Sequence, residues 1–530
     1  MKVKIFLQPV TLIIIFFLLC YSKNIYSQPI AKKDTLNGSF TYQPPFFDDT
    51  DRINRIKATF PVIEKIFKEH AERNHYPAIA FGIEADGKLI YSGALGYTDV
   101  SKKIPATSKS IFRIASMSKS FTAMAILKLR DAGKLNLDDP AYKYIPEMRT
   151  IKYLTSDAAP ISIRNLLTHS AGFPEDNPWG DRQLADSDEE LIKLIKEGVN
   201  FSNIPGITFE YSNLGFALLG NIVTRVSGKP YQQYISENIL KPLGMTATFW
   251  EYSKVPPAQL AHGYRWINEQ WREEELLHDG SYGAMGGMIT SIEDFSHYMA
   301  LHLSAWPPND DADKAPIKKS SIREMHQPWR FNGLNPQFKF PNGRTCATAS
   351  AYGFGLAWVK DCENKTWIGH SGGLPGFGSN WRIFEEYGIG VVSFANLTYA
   401  GTGTINLKVL DTIISLAQLK PRQLKASPIL DKRKNDLLKI LPDWKNVEKS
   451  GIFAENFFPD YPVDSLRKKA IELFTKAGKI VGVKELVPEN NLRGSFIIEG
   501  EKINIEISFT LTPENPPLIQ EYHIREVAKQ

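Results

Sequence analysis

The stretch from Ser116 to Ala132 most constrains the fold of this chain, because it predicts a helix with apolar residues on every side. It reads SMSKSFTAMAILKLRDA and contains neither proline nor glycine, and Gly133 after it can adopt the left-handed conformation that ends helices. A helix that is apolar all round has to be covered on all sides. The sequence therefore predicts a large domain around it, and 530 residues with 43% hydrophobic content can supply the cover.

Strand patterns on both sides of this helix predict the fold class. Before it, AIAFGIEADGKLIYSGALGY contains two β-rich runs around Asp86 and Gly87, a pair typical of a hairpin turn with two positive φ angles. After a mostly helical region that extends to about residue 300, strand patterns return at KTWIGH, NWRIFEE and IGVVSFAN, followed by a helix at GTINLKVLDTIISLAQL. The predicted fold is α+β: an antiparallel sheet built from both chain ends and flanked by helices, plus a mostly helical subdomain. Residues 305–350, rich in Pro, Asn, Asp and Lys, are expected to form a surface insertion.

A change in composition after this unit predicts a second domain. Residues 420–450 are basic and punctuated by proline, which predicts a linker. They are followed by the amphipathic helix pattern VDSLRKKAIELFTKAGKI and by GSFIIEGEKINIEISFTL, whose alternation predicts a hairpin. We therefore expect a main domain over residues 52–419, a linker over 420–450 and a small α+β domain over 451–530.

Residues 1–27 are predicted to be a secretory signal peptide. Two lysines precede an apolar run from Val10 to Cys20, and polar residues then lead to the small residue Ser27. A retained anchor is the alternative, but the run is shorter than the roughly 20 apolar residues that cross a bilayer. A lipidated Cys20 is a further alternative, which Leu19 disfavours because a small residue usually precedes such a cysteine. Cleavage near Ser27 predicts a secreted or periplasmic protein, with membrane contact only through an uncleaved leader.

Charge and cysteine content leave most functions open. The formal net charge is +5 and no basic patch is interleaved with aromatic residues, so we expect no nucleic-acid partner. Outside the leader, the cysteines are Cys346 and Cys362. They could pair in an oxidising compartment, but their spacing alone leaves both the free and the bonded state open.

Ser116 and Lys119 form the first candidate catalytic pair. Three residues apart at the start of a helix, their side chains lie on one face and within reach of each other. A lysine in an apolar setting has its charged form disfavoured, and its neutral amine can then accept a serine proton. Chance occurrences of S-x-x-K are common, but a lysine inside an otherwise apolar helix is expensive to bury without a purpose. Ser116 is therefore the predicted nucleophile.

Tyr211 and Asn213 form a second candidate group. They lie on a segment predicted to be extended just before a helix, where residues two apart point the same way. A nearby ammonium can stabilise a phenolate, so the tyrosine could act as general acid or base, and the amide could hold a substrate carbonyl. A packed tyrosine and a helix-capping asparagine are the structural alternative.

The third candidate group follows the β-run in IGHSGGLPGFGSNW. It comprises His370, Ser371, Gly372 and Gly373. Glycines at such a place let a substrate approach the backbone closely, and a strand edge can supply an N–H group to an oxyanion. A glycine-rich turn with a surface histidine is the structural alternative.

The three motifs S-x-x-K, Y-x-N and H-x-G, in this order, resemble those of the serine β-lactamase and penicillin-binding-protein superfamily. The resemblance is to the class C β-lactamase-like branch, which also holds D-aminopeptidases, D-Ala-D-Ala carboxypeptidases and esterases. It runs from about Phe60 to Leu419 and includes the segments LLTHSAG, SGKPYQQYISENILKPLGM, GGMITSIEDF and YGFGLAW.

This resemblance implies a role for each motif residue. Ser116 would be acylated, while Lys119 and Tyr211 would share the proton transfers to and from it. Two backbone N–H groups would form an oxyanion hole, each worth roughly 3–4 kcal/mol of transition-state stabilisation. The implied oxyanion donors are those of Ser116 and Gly373. The implied substrate-binding residues are Asn213, His370, Ser371 and Gly372.

His370 departs from the lysine that β-lactamases and transpeptidases of the superfamily usually carry at this position. The fixed charge of a lysine helps to hold a substrate carboxylate, whereas a histidine with a reference pKa of about 6.5 is largely neutral at pH 7. We therefore expect a serine hydrolase of peptidase or esterase type that acts on a small-molecule, peptide or ester substrate. Two alternatives stay open: a β-lactamase, and a non-catalytic protein of the same fold that binds cell-wall peptides.

No motif predicts a cofactor or a metal. The sequence contains no H-E-x-x-H, no cysteine–histidine cluster and no glycine-rich phosphate loop after a strand. His169 in LLTHSAG is expected to pack or to form hydrogen bonds rather than to react. The sequence indicates no particular oligomeric state.

Overall fold

The computed structural model describes residues 42–310, 313 and 315–529. These residues form two compact units, one over Pro44–Gln423 and a smaller one that begins at Leu424. The predicted signal peptide, including Cys20, lies outside the described residues. Among the helices that the model does describe, none is both long and apolar enough to cross a membrane.

A nine-stranded antiparallel sheet forms the centre of the larger unit. The strands of this unit are β1 (Ala78–Ala85), β2 (Lys88–Asp99), β3 (Ile104–Pro105), β4 (Phe112–Arg113), β5 (Tyr264–Ile267), β6 (Gln270–Glu273), β7 (Ile289–Thr290), β8 (Arg330–Lys339), β9 (Thr345–Tyr352), β10 (Ala357–Asp361), β11 (Thr366–Leu374), β12 (Phe377–Phe384) and β13 (Ile389–Ala395). The large sheet has the order β3-β2-β1-β13-β12-β11-β10-β9-β8, and β4 pairs with β7 and β5 with β6. Because β1 pairs with β13, both ends of the unit build one sheet, which confirms the predicted fold class.

Helices cover both faces of this sheet. They are α1 (Arg52–Ala58), α2 (Phe60–Arg73), α3 (Ser118–Asp131), α4 (Ile163–Leu167), α5 (Asn177–Gly180), α6 (Asp188–Glu197), α7 (Asn213–Ser227), α8 (Tyr231–Ile235), α9 (Lys241–Leu243), α10 (Gly283–Gly286), α11 (Ile292–Ser304), α12 (Lys319–Met325) and α13 (Thr402–Leu416). Strand β1 shows the effect: Ile79 and Phe81 belong to the core on one face, and Ala78 and Ala80 to the core on the other. Buried on both faces, β1 is uncharged at every position except Glu84.

The central helix α3 is buried as the sequence predicts. Every residue from Ser118 to Leu127 is buried, and Gly133 beyond its end has a φ of +69°. The hairpin between β1 and β2 is also confirmed, because Asp86 and Gly87 have φ angles of +50° and +72°.

The expectation that residues 305–350 form a surface insertion is wrong. This segment supplies α12, β8 and β9, and the two strands form one edge of the large sheet. Ile322 and Met325 of α12 are buried in the core. Pro336, one of the prolines of this segment, is accommodated because β8 is an edge strand whose register shifts between Asn335 and Phe338.

The smaller unit is a compact α+β domain. Its helices are α14 (Pro428–Ile440), α15 (Phe457–Asp460) and α16 (Val463–Ala477), and its strands are β14 (Ile480–Val483), β15 (Val487–Asn490), β16 (Arg493–Gly500), β17 (Asn504–Leu511) and β18 (Ile519–Val527). The strands form an antiparallel sheet of order β14-β16-β17-β18, with β15 also paired to β16. Strands β16 and β17 bury alternate residues, as the sequence pattern predicts for a hairpin with one face on a core.

The structure corrects the predicted linker at residues 420–450. Helix α14 lies inside this range, and its residues Ile429, Leu430 and Leu437 are buried in the core of the smaller unit. Because α14 also contains many charged residues, the composition of this segment does not reveal its apolar stripe and favours a linker instead. The smaller domain therefore begins well before residue 451.

The structure also decides the state of the two cysteines that the sequence left open. Cys346 of β9 and Cys362, which follows β10, form a disulfide with a Cα–Cα distance of 5.8 Å. The bond joins two neighbouring strands at the edge of the large sheet.

Candidate active site

Ser116 is the middle residue of a single turn of 3₁₀ helix, Ala115–Met117, between β4 and α3. Ala115 has a φ of +50°, a left-handed conformation that costs a residue other than glycine about 1–3 kcal/mol. The surroundings hold this conformation: Ala115 is fully buried, and the N–H of Ile114 donates to the carbonyl of Met288 at 3.0 Å. The turn therefore presents Ser116, which is 7% exposed, in one fixed position.

Lys119 contacts Ser116 directly and is fully buried. Its Nζ lies 3.0 Å from Ser116 Oγ, 2.7 Å from Asn213 Oδ1 and 3.0 Å from the carbonyl oxygen of Met285. The last two oxygens can only accept hydrogen bonds. A neutral amine therefore uses its two hydrogens on them, which leaves its lone pair facing the hydroxyl of Ser116.

Burial lowers the pKa of Lys119 to about 7, because the charged amine loses its hydration. The carboxylates of Asp181 and Asp176 oppose this change by stabilising the ammonium. At neutral pH a large fraction of Lys119 is thus uncharged, as the sequence-based mechanism requires.

Tyr211 lies against both members of this pair. Its ring centroid is 4.9 Å from Lys119 Nζ, the Ser116 hydroxyl is near enough to lower the pKa of its phenol, and the ring of His169 packs at 4.1 Å. Burial raises the pKa of Tyr211 far above its usual value, and the Ser116 hydroxyl opposes this only in part. Burial thus favours the protonated phenol, which can donate a proton, over a phenolate stabilised by the ammonium.

Asn213 begins α7 rather than lying on an extended segment, and Ser212 is the cap of that helix. The carboxylate of Asp176 accepts the N–H groups of Asn213 at 2.6 Å and Leu214 at 2.9 Å, which anchors the helix start. This start brings the Asn213 side chain to Lys119, so the predicted convergence holds although the predicted local structure does not.

His169 has the structural role that the sequence predicts. Its Nδ1 accepts the N–H of Ser212 at 3.1 Å, and its ring packs between aromatic neighbours that include Tyr211 and Phe216. Burial lowers its pKa well below the usual value, so the ring is neutral.

His370 is a neutral histidine in the wall formed by β11. Its Nδ1–H donates to the carbonyl of Ser371, and its Nε2 accepts the hydroxyl of Tyr352 at 2.8 Å. Burial lowers the pKa of His370 to about 3, and the positive charge of Lys119 acts in the same direction. His370 therefore supplies no positive charge for a substrate carboxylate.

Gly372 and Gly373 bring β11 against the turn that carries Ser116. A Cβ on Gly372 would lie 2.2 Å from the carbonyl oxygen of Ile114, and a Cβ on Gly373 would lie 2.9 Å from the ring of Tyr399. Neither position has room for a side chain, so these glycines are required by close approach. The amide of Asn380 donates to Ser371 Oγ at 2.9 Å and fixes the remaining polar group of this wall.

The predicted residues meet around a cavity of about 400 Å³. Those that line it are Ser116, Tyr211, His370, Ser371, Gly372 and Gly373; the other lining residues are Asn177, Asp181, Ser379, Tyr399, Ala400, Gly401, Thr402 and Gly403. Lys119 and Asn213 lie behind this surface, in contact with it through Ser116 and Asn177. In the part of the chain that the model describes, no three His, Cys, Asp or Glu side chains are arranged to hold a metal ion.

Sequence reasoning missed Asp181 and Tyr399. The hydroxyl of Tyr399 donates to Asp181 Oδ2 at 3.0 Å across 218 residues of sequence. Burial raises the pKa of Asp181 to about 6, against the positive charge of Lys119 and the bond from Tyr399, which lower it. Neither residue belongs to a motif, and their chain separation leaves no local signal that could have found the pair.

Comparisons with known proteins identify the family of this chain. The family model described as Beta-lactamase matches residues 63–411. Protein flp of Staphylococcus aureus strain N315 is 30% identical over 368 residues, which cover 67% of this chain and 68% of that protein. Penicillin-binding protein 4* of Bacillus subtilis strain 168 is 27% identical over 333 residues, 59% of this chain and 67% of that protein.

Solved structures show the same fold. The octameric penicillin-binding protein homologue from Pyrococcus abyssi is 22% identical and aligns over 89% of this chain and 96% of that chain, with a TM-score of 0.53. A class C β-lactamase mutant is 20% identical and aligns over 69% of this chain and 99% of that chain, also with a TM-score of 0.53. The family model covers more than half of the chain, so the chain belongs to the β-lactamase family, within the superfamily of β-lactamases and penicillin-binding proteins.

Proposed function

We propose that this protein is a serine hydrolase that cleaves an amide or ester bond through an acyl-enzyme on Ser116. The observation that carries the proposal is the 3.0 Å contact between Ser116 Oγ and the buried Nζ of Lys119. Since Asn213 and Met285 take the two hydrogens of a neutral amine, the lone pair is directed at the serine proton.

Acylation follows from these contacts. Lys119 Nζ accepts the proton of Ser116 Oγ, and the oxygen attacks the carbonyl carbon of the substrate. The new ester bond forms as the scissile C–N or C–O bond breaks, and the phenol of Tyr211 donates a proton to the leaving group. The Lys119 ammonium then returns its proton to Tyr211. Attack by water on the ester, with the same groups acting in reverse, releases the acid and restores Ser116.

The negative charge that develops on the carbonyl oxygen needs donors. The backbone N–H groups of Ser116 and Gly373 are the proposed ones, and the close packing of β11 on the Ser116 turn supports this assignment. Asn213 is assigned to hold Lys119 in place, in addition to the substrate contact that the resemblance implies.

A peptidase or esterase is favoured over a β-lactamase because His370 is neutral. Both of its ring nitrogens are already bonded, to Tyr352 and to the Ser371 carbonyl, so no charge from this position meets a carboxylate. A non-catalytic binding protein is disfavoured because the nucleophile contacts the buried amine and the ring of Tyr211 lies against that amine.

A secreted or periplasmic location is also proposed. The leader pattern at residues 1–27 and the Cys346–Cys362 disulfide both support an oxidising compartment.

The test is covalent labelling followed by a substrate panel. A fluorophosphonate should modify the peptide that contains Ser116, as read by mass spectrometry, and Ser116→Ala should abolish the adduct. Ser120→Ala is the matched control, because Ser120 is buried four residues away and its hydroxyl donates only to the Met117 carbonyl. A p-nitrophenyl acyl ester should be hydrolysed and nitrocefin slowly or not at all. An unlabelled wild-type protein would overturn the proposed function, and fast nitrocefin turnover would make it a β-lactamase.

A further inference from the structure

Asp181 is a carboxylate in the active-site cavity that the proposed mechanism does not use. It follows α5, and a Cβ on the preceding residue, Gly180, would lie 2.8 Å from Asn213 Cβ. The chain at Asp181 is therefore pressed against the residue that holds Lys119. The side chain is 2% exposed and lines the same cavity as Ser116.

One oxygen of this carboxylate is occupied and the other is not. Tyr399 donates to Oδ2 at 3.0 Å, whereas no described residue donates to Oδ1. Tyr399 itself lies against Gly373, the proposed oxyanion donor. Its hydrogen bond therefore links Asp181 to the cavity wall formed by β11. Oδ1 is accessible from the cavity, so a ligand in the site can donate a hydrogen bond to it.

The other charges near this carboxylate do not neutralise it from inside the cavity. None of the described residues that line the cavity is a lysine or an arginine. The charged groups that act most strongly on Asp181 are Lys119, Asp176 and Glu175, and the first of these lies behind the surface. Arg182 and Arg265 act on its partner Tyr399. Arg382 lies next to the lining, since its Nη2 is 3.1 Å from the position of a Cβ on Gly403.

We propose that Asp181 binds the ammonium group of an amine-bearing acyl substrate, and that this contact favours the unprotonated form of Lys119. The inference rests on the proposed function, since it assigns the substrate class of the same site. The ammonium supplies the donor that Oδ1 lacks and the positive charge that the cavity lining lacks.

The coupling to Lys119 follows from electrostatics. The Asp181 carboxylate raises the pKa of Lys119, and Lys119 lowers the pKa of Asp181. A substrate ammonium paired with Asp181 cancels much of this attraction, so Lys119 releases its proton more readily and can accept that of Ser116. By linkage, the substrate binds more tightly when Lys119 is neutral. Asp176 also acts on Lys119, but its oxygens are taken by the start of α7.

The experiment compares alanine p-nitroanilide with its N-acetyl derivative, in both enantiomers, between pH 6 and 7, where the free amine is charged. For the reactive enantiomer, the wild type should prefer the free amine in kcat/KM by roughly ten- to hundredfold, the range of a hydrogen bond to a charged group. Asp181→Asn should remove this preference through a higher KM for the amine. With the acetylated substrate, the acidic limb of kcat/KM should move to lower pH, because Lys119 is no longer held protonated.

Asp186→Asn is the charge-matched control, because Asp186 is five residues away and does not line the cavity. It should keep both the preference and the position of the acidic limb. Equal rates on the two substrates in the wild type, or an unchanged preference in Asp181→Asn, would overturn the inference. Fluorophosphonate labelling of Ser116 separates this failure from that of the proposed function, because labelling depends on Ser116 and Lys119 and not on a substrate amine.

Discussion

Lys119 of α3 and Glu84 of β1 are both buried ionisable side chains, and they differ in their hydrogen-bond partners. Lys119 has three polar partners at 2.7–3.0 Å, one of them the candidate nucleophile. Glu84 of β1 is 1% exposed, and neither of its carboxylate oxygens has a hydrogen-bond partner among the described residues. Burial shifts both groups towards the neutral form, lowering the pKa of Lys119 to about 7 and raising that of Glu84 to about 9.

The difference lies in what the neutral form can do. Neutral Lys119 directs a lone pair at a hydroxyl in a cavity, whereas neutral Glu84 lines a groove beside α11 and has no hydrogen-bond partner among the described residues. Desolvation alone therefore shifts the pKa of a buried group. The group becomes a general base only when hydrogen-bond partners direct its lone pair at a reactive hydroxyl.

The largest expected effect is that of Lys119→Met. Removal of the amine should lower kcat/KM for a p-nitrophenyl ester by about a thousandfold, the scale of a lost general base. Lys128→Met, on the same helix but outside the cavity, should keep near wild-type activity. Steady-state kinetics measure both activities. An active Lys119→Met enzyme would show that Lys119 is not the general base.

Next in size is a change in stability from Glu84→Gln. The pKa of Glu84 is about 9 in the folded protein and about 4.5 unfolded, so the folded state must keep a proton that the unfolded chain has released at pH 7. Stability is thus lost as the pH rises from about 4.5 to 9. The amide should raise the free energy of unfolding by on the order of 2–3 kcal/mol at pH 7, and by little at pH 4.

Urea unfolding at the two pH values measures this gain. Glu293→Gln is the matched control: Glu293 lines the same groove, but its carboxylate accepts the hydroxyl of Ser108 at 3.0 Å. It should give no such gain. A loss of stability in Glu84→Gln at pH 7 would mean that the carboxylate is ionised and has a partner.

A smaller effect is expected in the pH dependence of the wild type. With an uncharged substrate, kcat/KM should rise through about pH 7 as Lys119 loses its proton, and should fall about tenfold per pH unit below pH 6. Glu84→Gln should leave this profile in place. A profile that is flat from pH 5 to 8 would contradict the assignment of Lys119 as the base.

Tyr352→Phe should have the smallest effect. It removes the hydroxyl that donates to His370 Nε2, but burial still keeps that ring neutral. We expect a change of only a few-fold in kcat/KM for an uncharged ester, with no new ionisation between pH 5 and 8. A new limb near pH 6 would show that the hydrogen bond, and not burial, holds His370 neutral.

The local parts of the fold and site could be predicted because their signals are short in sequence. The three-residue spacing of Ser116 and Lys119, the turn at Asp86 and Gly87, and the apolar run of α3 each follow from backbone geometry within one element. The predictions for residues 305–350 and 420–450 failed because a few polar or proline residues outweighed the apolar pattern in each segment. Pro336 hid an edge strand, and the charges of α14 hid a helix that belongs to the second core.

What the sequence by itself determined is that a serine and a lysine three residues apart, at the start of a buried helix, lie within reach of each other, and that strands from both ends of the unit meet in one sheet. Only the tertiary structure decided what surrounds them: Lys119 meets Asn213 across 94 residues and Met285 across 166, and Tyr399 meets Asp181 across 218. Such contacts carry no local pattern, because each depends on how whole elements pack. The pKa values of the site depend on the same packing, since burial and the distance to other charges set them.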